Sequence, residues 1–199
     1  MQQIYLVRHG RTEWNEAHRL QGRLPGIGLS SYGLQQARRT AEILRDVDIQ
    51  QILVSPLERA VQTASIINEF HGVPVTVDSL WNEWEMRKWQ GLYFSDIEER
   101  YPEEFSLWRR NPAARIDFEG ELLADVAHRM YQGLEQAVDR HPGEAILIVS
   151  HSDPLKALVA TVMEIPLESI GRLQIDNAAL TRLAYDGTCF RLMTLNSTV

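Results

Sequence analysis

Residues 145–149 read Ala-Ile-Leu-Ile-Val, a strand with no polar side chain, and such a strand has to be covered on both faces. In a chain of 199 residues, that requirement points to a mostly parallel sheet with helices packed above and below it. Two more short apolar runs, 4–7 and 51–54, read as buried strands of the same kind. Residues 73–77 give a shorter strand, placed towards an edge by Pro74, which cannot donate to a ladder. Apolar residues at helical spacing fill the intervals. Leu34, Ala37, Ala41 and Leu44 predict a helix over 31–46, and Val61, Ala64 and Ile67 one that ends near 71. Leu122, Val126, Met130, Leu134 and Val138 predict a long helix over 121–141, with His128 and His141 as surface side chains. A further helix carries Leu155, Leu158, Val159 and Val162. Ser55 with Glu58, and Pro56 between them, read as a capped helix start; Asp153 and Pro154 read as another. The segments 173–175 with 180–185, and 190–195, predict late strands turning near Asp186-Gly187. The expected architecture is a three-layer α/β/α single domain over 1–199.

Two stretches leave this alternation. Residues 16–30 form a polar loop with turn residues at Gln21-Gly22 and at Pro25 to Gly28. Residues 80–120 hold Trp81, Trp84, Trp89 and Trp108, four of the five tryptophans, around a short helix over 96–101 stopped by Pro102. A connection this long in a compact domain forms a lid, a wall of the site or a satellite core.

The three apolar strands share an ending. The first runs into Arg8-His9-Gly10, the second into Ser55 and Arg59, the third into Ser150-His151. Right-handed crossovers bring such ends to one sheet edge, where ligands bind in open α/β sheets. A pocket there holds two guanidinium forks, two imidazoles and two helix N-termini, a set that favours an anion. His9 supplies a nitrogen able to attack or relay a proton near neutral pH, and Gly10 lets the backbone turn and approach closely.

Composition restricts the rest. A net charge of −7 argues against a general nucleic-acid or anionic membrane surface, so the basic pocket has to be local. No run approaches membrane-spanning length, and Met1-Gln2-Gln3 leads straight into the first strand without signal-peptide features. The single cysteine, Cys189, rules out an internal disulfide, fits a reducing cytoplasm and is expected as buried filler. No His-Glu-x-x-His or cysteine cluster suggests a metal, no phosphate-binding Gly-x-x-x-x-Gly-Lys loop occurs, and no nucleophile elbow surrounds Ser55, Ser150 or Ser152.

Arg8-His9-Gly10-x-Thr12-x-x-Asn15, Ser55-Pro56-Leu57-x-Arg59-Ala60, Glu83 ahead of Trp89-x-Gly91, and Ser150-His151 occur in that order. With Asn177 to Thr181 they span nearly the whole chain, which resembles the histidine phosphatase superfamily with its phosphoglycerate mutase-like fold. The resemblance implies a phosphomonoester hydrolase, of the histidine acid-phosphatase type, acting on a small organic phosphate through a phosphohistidine and needing no cofactor. It implies His9 as nucleophile, with Arg8, Arg59 and His151 around the transferred group. It implies Glu83, rather than Glu85, as the acid that protonates the leaving oxygen. Asn15, Gln21, Gly22 and Ser152 complete the substrate-binding set. Family members often carry glycine where this chain has Arg87 and Ser152, and the segment 25–30 departs from the family's usual one.

Thr12 and the absence of a mutase-like segment around Glu83 favour a phosphatase over a cofactor-dependent phosphoglycerate mutase. A non-catalytic phosphate-binding protein is the remaining alternative. The tryptophans, with Met86, suggest a wall suited to a bulky organic phosphate. The oligomeric state is not readable from the chain, a homodimer being one option.

Overall fold

The computed structural model describes residues 1–198. Its sheet has six strands: β1 (Gln2–Arg8), β2 (Ile49–Val54), β3 (Val75–Val77), β4 (Ala145–Ser150), β5 (Leu180–Tyr185) and β6 (Phe190–Ser197). Their order is β3-β2-β4-β1-β5-β6, so the all-apolar β4 is central and the Pro74-preceded β3 is an edge. Strands β1 to β4 pair in parallel, while β5 and β6 add an antiparallel border.

Strand alternation sorts the core into two halves. Ile4 and Leu6 of β1, with Ile146 and Ile148 of β4, face one side; Tyr5, Val7, Leu147 and Val149 face the other. Helices α2 (Ser31–Leu44) and α3 (Glu58–Asn68) cover the second face through Ala41, Leu44, Ala60, Ala64 and Ile67. Helices α6 (Leu123–Arg140) and α7 (Ser152–Val162) cover the first through Val126, Met130, Leu134, Leu155 and Leu158. Fully burying such side chains contributes about 1.5–3 kcal/mol each. This is the α/β/α layering that the sequence predicts. Three short helices, α1 (Glu13–Glu16), α4 (Phe94–Arg100) and α5 (Pro102–Arg110), lie in the connections. Among the described residues, no helix is long and apolar enough to cross a membrane.

Several local expectations fail for identifiable reasons. Helix α3 starts at Glu58 behind Leu57, not at Ser55-Pro56: Ser55 Oγ meets the Leu57 N–H at 3.4 Å and no N–H of the helix's own first turn. Helix α7 starts at Ser152 with His151 as its preceding residue, so Asp153 is inside the first turn and caps nothing. Pro102 opens α5 instead of only closing α4; a proline at the first helical position lacks only a hydrogen bond that no residue there makes. Leu122 precedes α6 and is exposed, and Leu123 takes its place on the buried stripe. Residues 173–175 form no strand, and the helical turn 13–16 takes in Glu16, the first residue of the expected loop. Cys189 is exposed in the β5–β6 turn, where its N–H donates to Asp186, so it fills no core.

The aromatic excursion is mostly core, continuous with the sheet face covered by α6 and α7. Trp81 and Trp89 are buried, and Trp89 packs edge-on against Phe105, Trp108 and Phe118, with Tyr101 stacked beside it.

Candidate active site

The sheet register builds the site. Arg8 pairs with Ser150 across β1 and β4, and the His9 N–H donates to the Ser150 carbonyl at 3.0 Å. Val54 pairs with Val149 across β2 and β4, and the Ser55 N–H donates to the Val149 carbonyl at 3.1 Å. Three strand ends are thereby locked together, which brings Arg8, His9, Ser55, Arg59 and His151 to one place.

His9 is 2% exposed, and its Nδ1 lies 2.7 Å from the Gly10 carbonyl. A carbonyl only accepts, so Nδ1 carries the proton and Nε2 keeps its lone pair. Burial, then the charges of Arg59 and Arg8, hold the His9 pKa well below the usual value, leaving the ring neutral. The loop around it is pinned from both sides. The Gly10 N–H donates to Thr63 Oγ1 at 3.0 Å, Asn177 Nδ2 donates to the His9 carbonyl at 3.1 Å, and the Ala178 N–H is shared between the Arg8 and His9 carbonyls. Ala178 does this at φ +59°, a left-handed conformation disfavoured for alanine and held by these bonds.

Arg59 is 1% exposed; Nη2 donates to the Gly22 carbonyl at 2.8 Å, whereas Nε and Nη1 meet no acceptor in the protein. Arg8 donates from Nη1 to the Ile175 carbonyl, and its Nε is also unpartnered. Burial lowers both pKa values, that of Arg59 to about 10, and both groups stay cationic at neutral pH. Buried guanidinium N–H groups without acceptors are costly unless an anion meets them.

The other imidazole, His151, is fully buried, with its ring centroid 5.1 Å from that of His9. Burial, followed by Arg59 and His9, depresses its pKa strongly. Its Nδ1 is 3.8 Å from Glu83 Oε2. Glu83 is pushed up to about 7 by burial and by Asp153, against the opposing pull of Arg59, the Trp84 N–H and Arg8. A carboxyl poised there can both give and take a proton near neutrality. Glu85, by contrast, pairs with Arg87 at 3.0 Å and faces Arg23; Arg87 itself is an exposed surface charge.

The Glu83 backbone is held as firmly as that of His9. Arg23 Nε and Arg129 Nη2 both donate to its carbonyl, at 2.8 and 3.1 Å, and both arginines rest on Glu121. Burial raises the Glu121 pKa, but Arg129 and Arg23 outweigh it and leave the carboxylate ionised.

A cavity of about 400 Å³ opens over these groups. Arg8, His9, Asn15, Gln21, Gly22, Glu83 and Ser152 line it. Arg59 and His151 are not on that surface; they lie against residues that are, Gly22 for Arg59 and Glu83 for His151. Asn15 Oδ1 is occupied by Thr12, which leaves its NH2 group free. Gln21 Oε1 is buried without a partner. Neither Arg87 nor Ser152 has positive φ, so neither needs the glycine often found in the family. Trp84 and Met86 reach the cavity, while Trp81 and Trp89 do not. Phe94 and Trp108, from the excursion expected as a lid, wall or satellite core, line the cavity too; sequence reading missed Arg109 and Arg19, one from a short helix and one from a loop. Lys156, one turn beyond Ser152 on α7, could have been found from its i+4 spacing. Among the described residues, no three His, Cys, Asp or Glu side chains are grouped to hold a metal ion.

A family model described as histidine phosphatase superfamily (branch 1) matches residues 4–198. The chain belongs to that superfamily. Similar proteins include a Cronobacter sakazakii protein named "Probable phosphoglycerate mutase GpmB", 34% identical over 93% of this chain and 86% of that one. Phosphoserine phosphatase 1 of Hydrogenobacter thermophilus is 33% identical over 90% and 84% of the two chains. Among solved structures, a mycobacterial glucosyl-3-phosphoglycerate phosphatase in complex with VO3 superposes over the full length of both chains, with a TM-score of 0.89 and 30% identity. This histidine phosphatase superfamily enzyme thus has relatives named for hydrolysis and for isomerisation.

Proposed function

We propose that the protein is a phosphomonoester hydrolase working through a phosphohistidine on His9, with a phosphorylated carboxylic acid as substrate. The observation that carries the reaction is the bare, neutral Nε2 of His9 beside two buried guanidiniums with unpartnered N–H groups. Nε2 attacks phosphorus, the P–O bond to the organic group breaks, and Glu83 gives its proton to the departing oxygen. Water then attacks phosphorus, Glu83 takes the water proton, and the P–N bond breaks to restore neutral His9. Arg8, Arg59 and His151 stabilise the charge on the transferring group, where most of the rate enhancement arises. Asn15 and Gln21 supply neutral contacts, with the Gly22 backbone and Ser152 beside them. In this reading residues 1–199 act as one domain in the cytoplasm.

The cavity supports the substrate class. Beyond Arg8 and Glu83, the cavity lining carries Arg19, Arg109 and Lys156 against one carboxylate, Asp153, in a protein that is acidic overall. Trp84, Met86, Phe94 and Trp108 line the same cavity. A second anion on the organic group meets these cations, and its carbon skeleton meets the apolar side chains. The names of the phosphoserine and glucosyl-3-phosphoglycerate phosphatases agree with a carboxylate-bearing substrate.

Phosphate release from phosphoserine, 3-phosphoglycerate and glycerol 3-phosphate, with a chelator present, tests this. The carboxylates are expected to be preferred in kcat/KM by about five- to tenfold, the worth of a partly exposed charge pair. Arg109→Ala together with Lys156→Ala should erase the difference. Equal kcat/KM in the wild type would sink the substrate class. Faster formation of 2-phosphoglycerate than of phosphate, from 3-phosphoglycerate with a bisphosphoglycerate primer, would establish a mutase instead.

Glu83 sets the pH profile. It is protonated below about pH 7, so kcat/KM for esters with alkoxide leaving groups should fall above that pH, towards tenfold per unit. Glu83→Gln should lose about 10²–10³ in rate with such esters, along with this limb. A nitrophenolate leaving group, which needs no proton, should be much less affected. Retention of the limb in Glu83→Gln assigns it to another group.

A further inference from the structure

Ser55 is buried completely, and the β2–β4 register fixes its place beside His151. Its Oγ lies 2.8 Å from His151 Nε2 and 3.4 Å from Asn82 Oδ1, and it receives the Leu57 N–H at 3.4 Å. His151 Nδ1, at the other side of the ring, is buried with no hydrogen-bond partner and is the nitrogen nearest Glu83. The two site histidines therefore differ in kind. The partner of His9 is a carbonyl, which can only accept. The partner of His151 is a hydroxyl, which can donate or accept, so the His151 tautomer depends on where one serine proton goes.

Two acceptors compete for that proton. Hydroxyl hydrogen bonds fall at about 2.5–3.0 Å between heavy atoms, a range that His151 Nε2 meets and Asn82 Oδ1 does not. The Leu57 N–H already occupies part of the oxygen's accepting side, which further favours its acting as donor towards the ring. We propose that Ser55 is a positioning residue: its hydroxyl donates to His151 Nε2 and so keeps the ring proton on Nδ1, the nitrogen nearest Glu83. This rests on the phosphatase reading above. With the proton on Nδ1, a neutral ring offers a donor to the transferring oxygens. With the proton on Nε2, the same ring points a lone pair at an anion. The serine thus selects between a stabilising and a repelling group without changing the charge of the site.

The test is a ring-nitrogen NMR spectrum of the intact enzyme labelled with 15N-histidine near pH 7, with the His151 signals assigned by their loss in His151→Ala. Wild-type His151 is expected to be protonated on Nδ1 and bare on Nε2; a proton on Nε2 overturns the proposal with no variant needed. Ser55→Ala is expected to move His151 towards the Nε2-protonated form while His9, held by Gly10, keeps its proton on Nδ1. In the same variant kcat should fall about ten- to a hundredfold with a smaller change in KM, less than or equal to the loss of one oxyanion donor. Ser55→Thr, which retains the hydroxyl, should keep the wild-type tautomer. If Ser55→Ala loses activity with the His151 tautomer unchanged, the serine only fills space and the proposal fails. The spectrum needs no turnover, so it stands or falls separately from the phosphatase reading.

Discussion

His9→Ala is expected to abolish phosphate release, by about 10⁴-fold or more in kcat/KM, since loss of a nucleophile removes the pathway and not merely one of its contacts. The acid-labile 32P adduct formed by wild-type enzyme should vanish with it. Binding should survive. Arg8 keeps its bond to the Ile175 carbonyl and Arg59 its bond to the Gly22 carbonyl, so neither guanidinium depends on His9 for its place. Phosphate or substrate should therefore bind His9→Ala with a Kd within a few-fold of the wild-type value. The pair of results separates the alternatives: a phosphate-binding protein without catalysis gives no adduct in the wild type either. An adduct persisting in His9→Ala would transfer the nucleophile's role, with His151, 5.1 Å away ring to ring, as the obvious claimant. The pH dependence follows from the same environment. Burial and two cations depress the His9 pKa, so the loss of activity from its protonation lies well below the usual histidine range. The decline above about pH 7 belongs to Glu83.

The parts of this site that can be read from the chain are those written in consecutive residues. An apolar strand that stops at Arg8-His9 or Ser150-His151 announces both its burial and its exit, because backbone and side chain change character together. Glu83 is harder, since nothing in its own segment separates it from Glu85. The distinction is made by Arg23 and Arg129, which come from 60 and 46 residues away to bond its carbonyl. Their shared anchor, Glu121, adjoins the start of α6 and belongs to no local pattern. Ser55 shows the opposite difficulty. Ser-x-x-Glu is a valid cap spacing, but the pattern is short, and the Ser55 hydroxyl lies 2.8 Å from His151 Nε2 and meets no N–H of α3. The stripe of α6 fails by one residue, Leu123 for Leu122, a turn of about 100° that a heptad-like pattern tolerates and packing does not. Sequence periodicity locates the layers; the atoms that tune the catalytic groups come from pairings distant in the chain.

One such pairing yields the largest expected effect on stability. Gly33, in the first turn of α2, lies against the backbone of Arg11 in the loop that follows His9. A Cβ there would sit 1.9 Å from the Arg11 carbonyl oxygen and 2.8 Å from its carbonyl carbon and nitrogen. These are backbone atoms, unable to swing aside as a side chain does. The Arg11 carbonyl is also the acceptor for the Ser30 N–H, and Ser30 Oγ caps α2 by accepting from the Gly33 N–H. Gly10, one residue before Arg11, packs back on Gly33 closely enough that its own Cβ would lie 2.6 Å from the Gly33 carbonyl oxygen. Helix start and the loop after His9 are therefore in backbone contact through two glycines. Gly33→Ala has to separate them, and is expected to destabilise the protein by about 4 kcal/mol or more, at the upper end of single substitutions. For a chain of this size that corresponds to a Tm lower by about 10 °C. Gly171→Ala is the control: its Cβ would meet only Pro112 Cγ at 3.7 Å, an ordinary contact, and its φ is not positive. At a temperature where Gly33→Ala remains folded, kcat should fall with it, because the displaced atoms belong to the loop that aims His9. A Tm within 2 °C of wild type, on the order of the control's scatter, would mean that α2 does not rest on this loop and that the pinning of the nucleophile has another source.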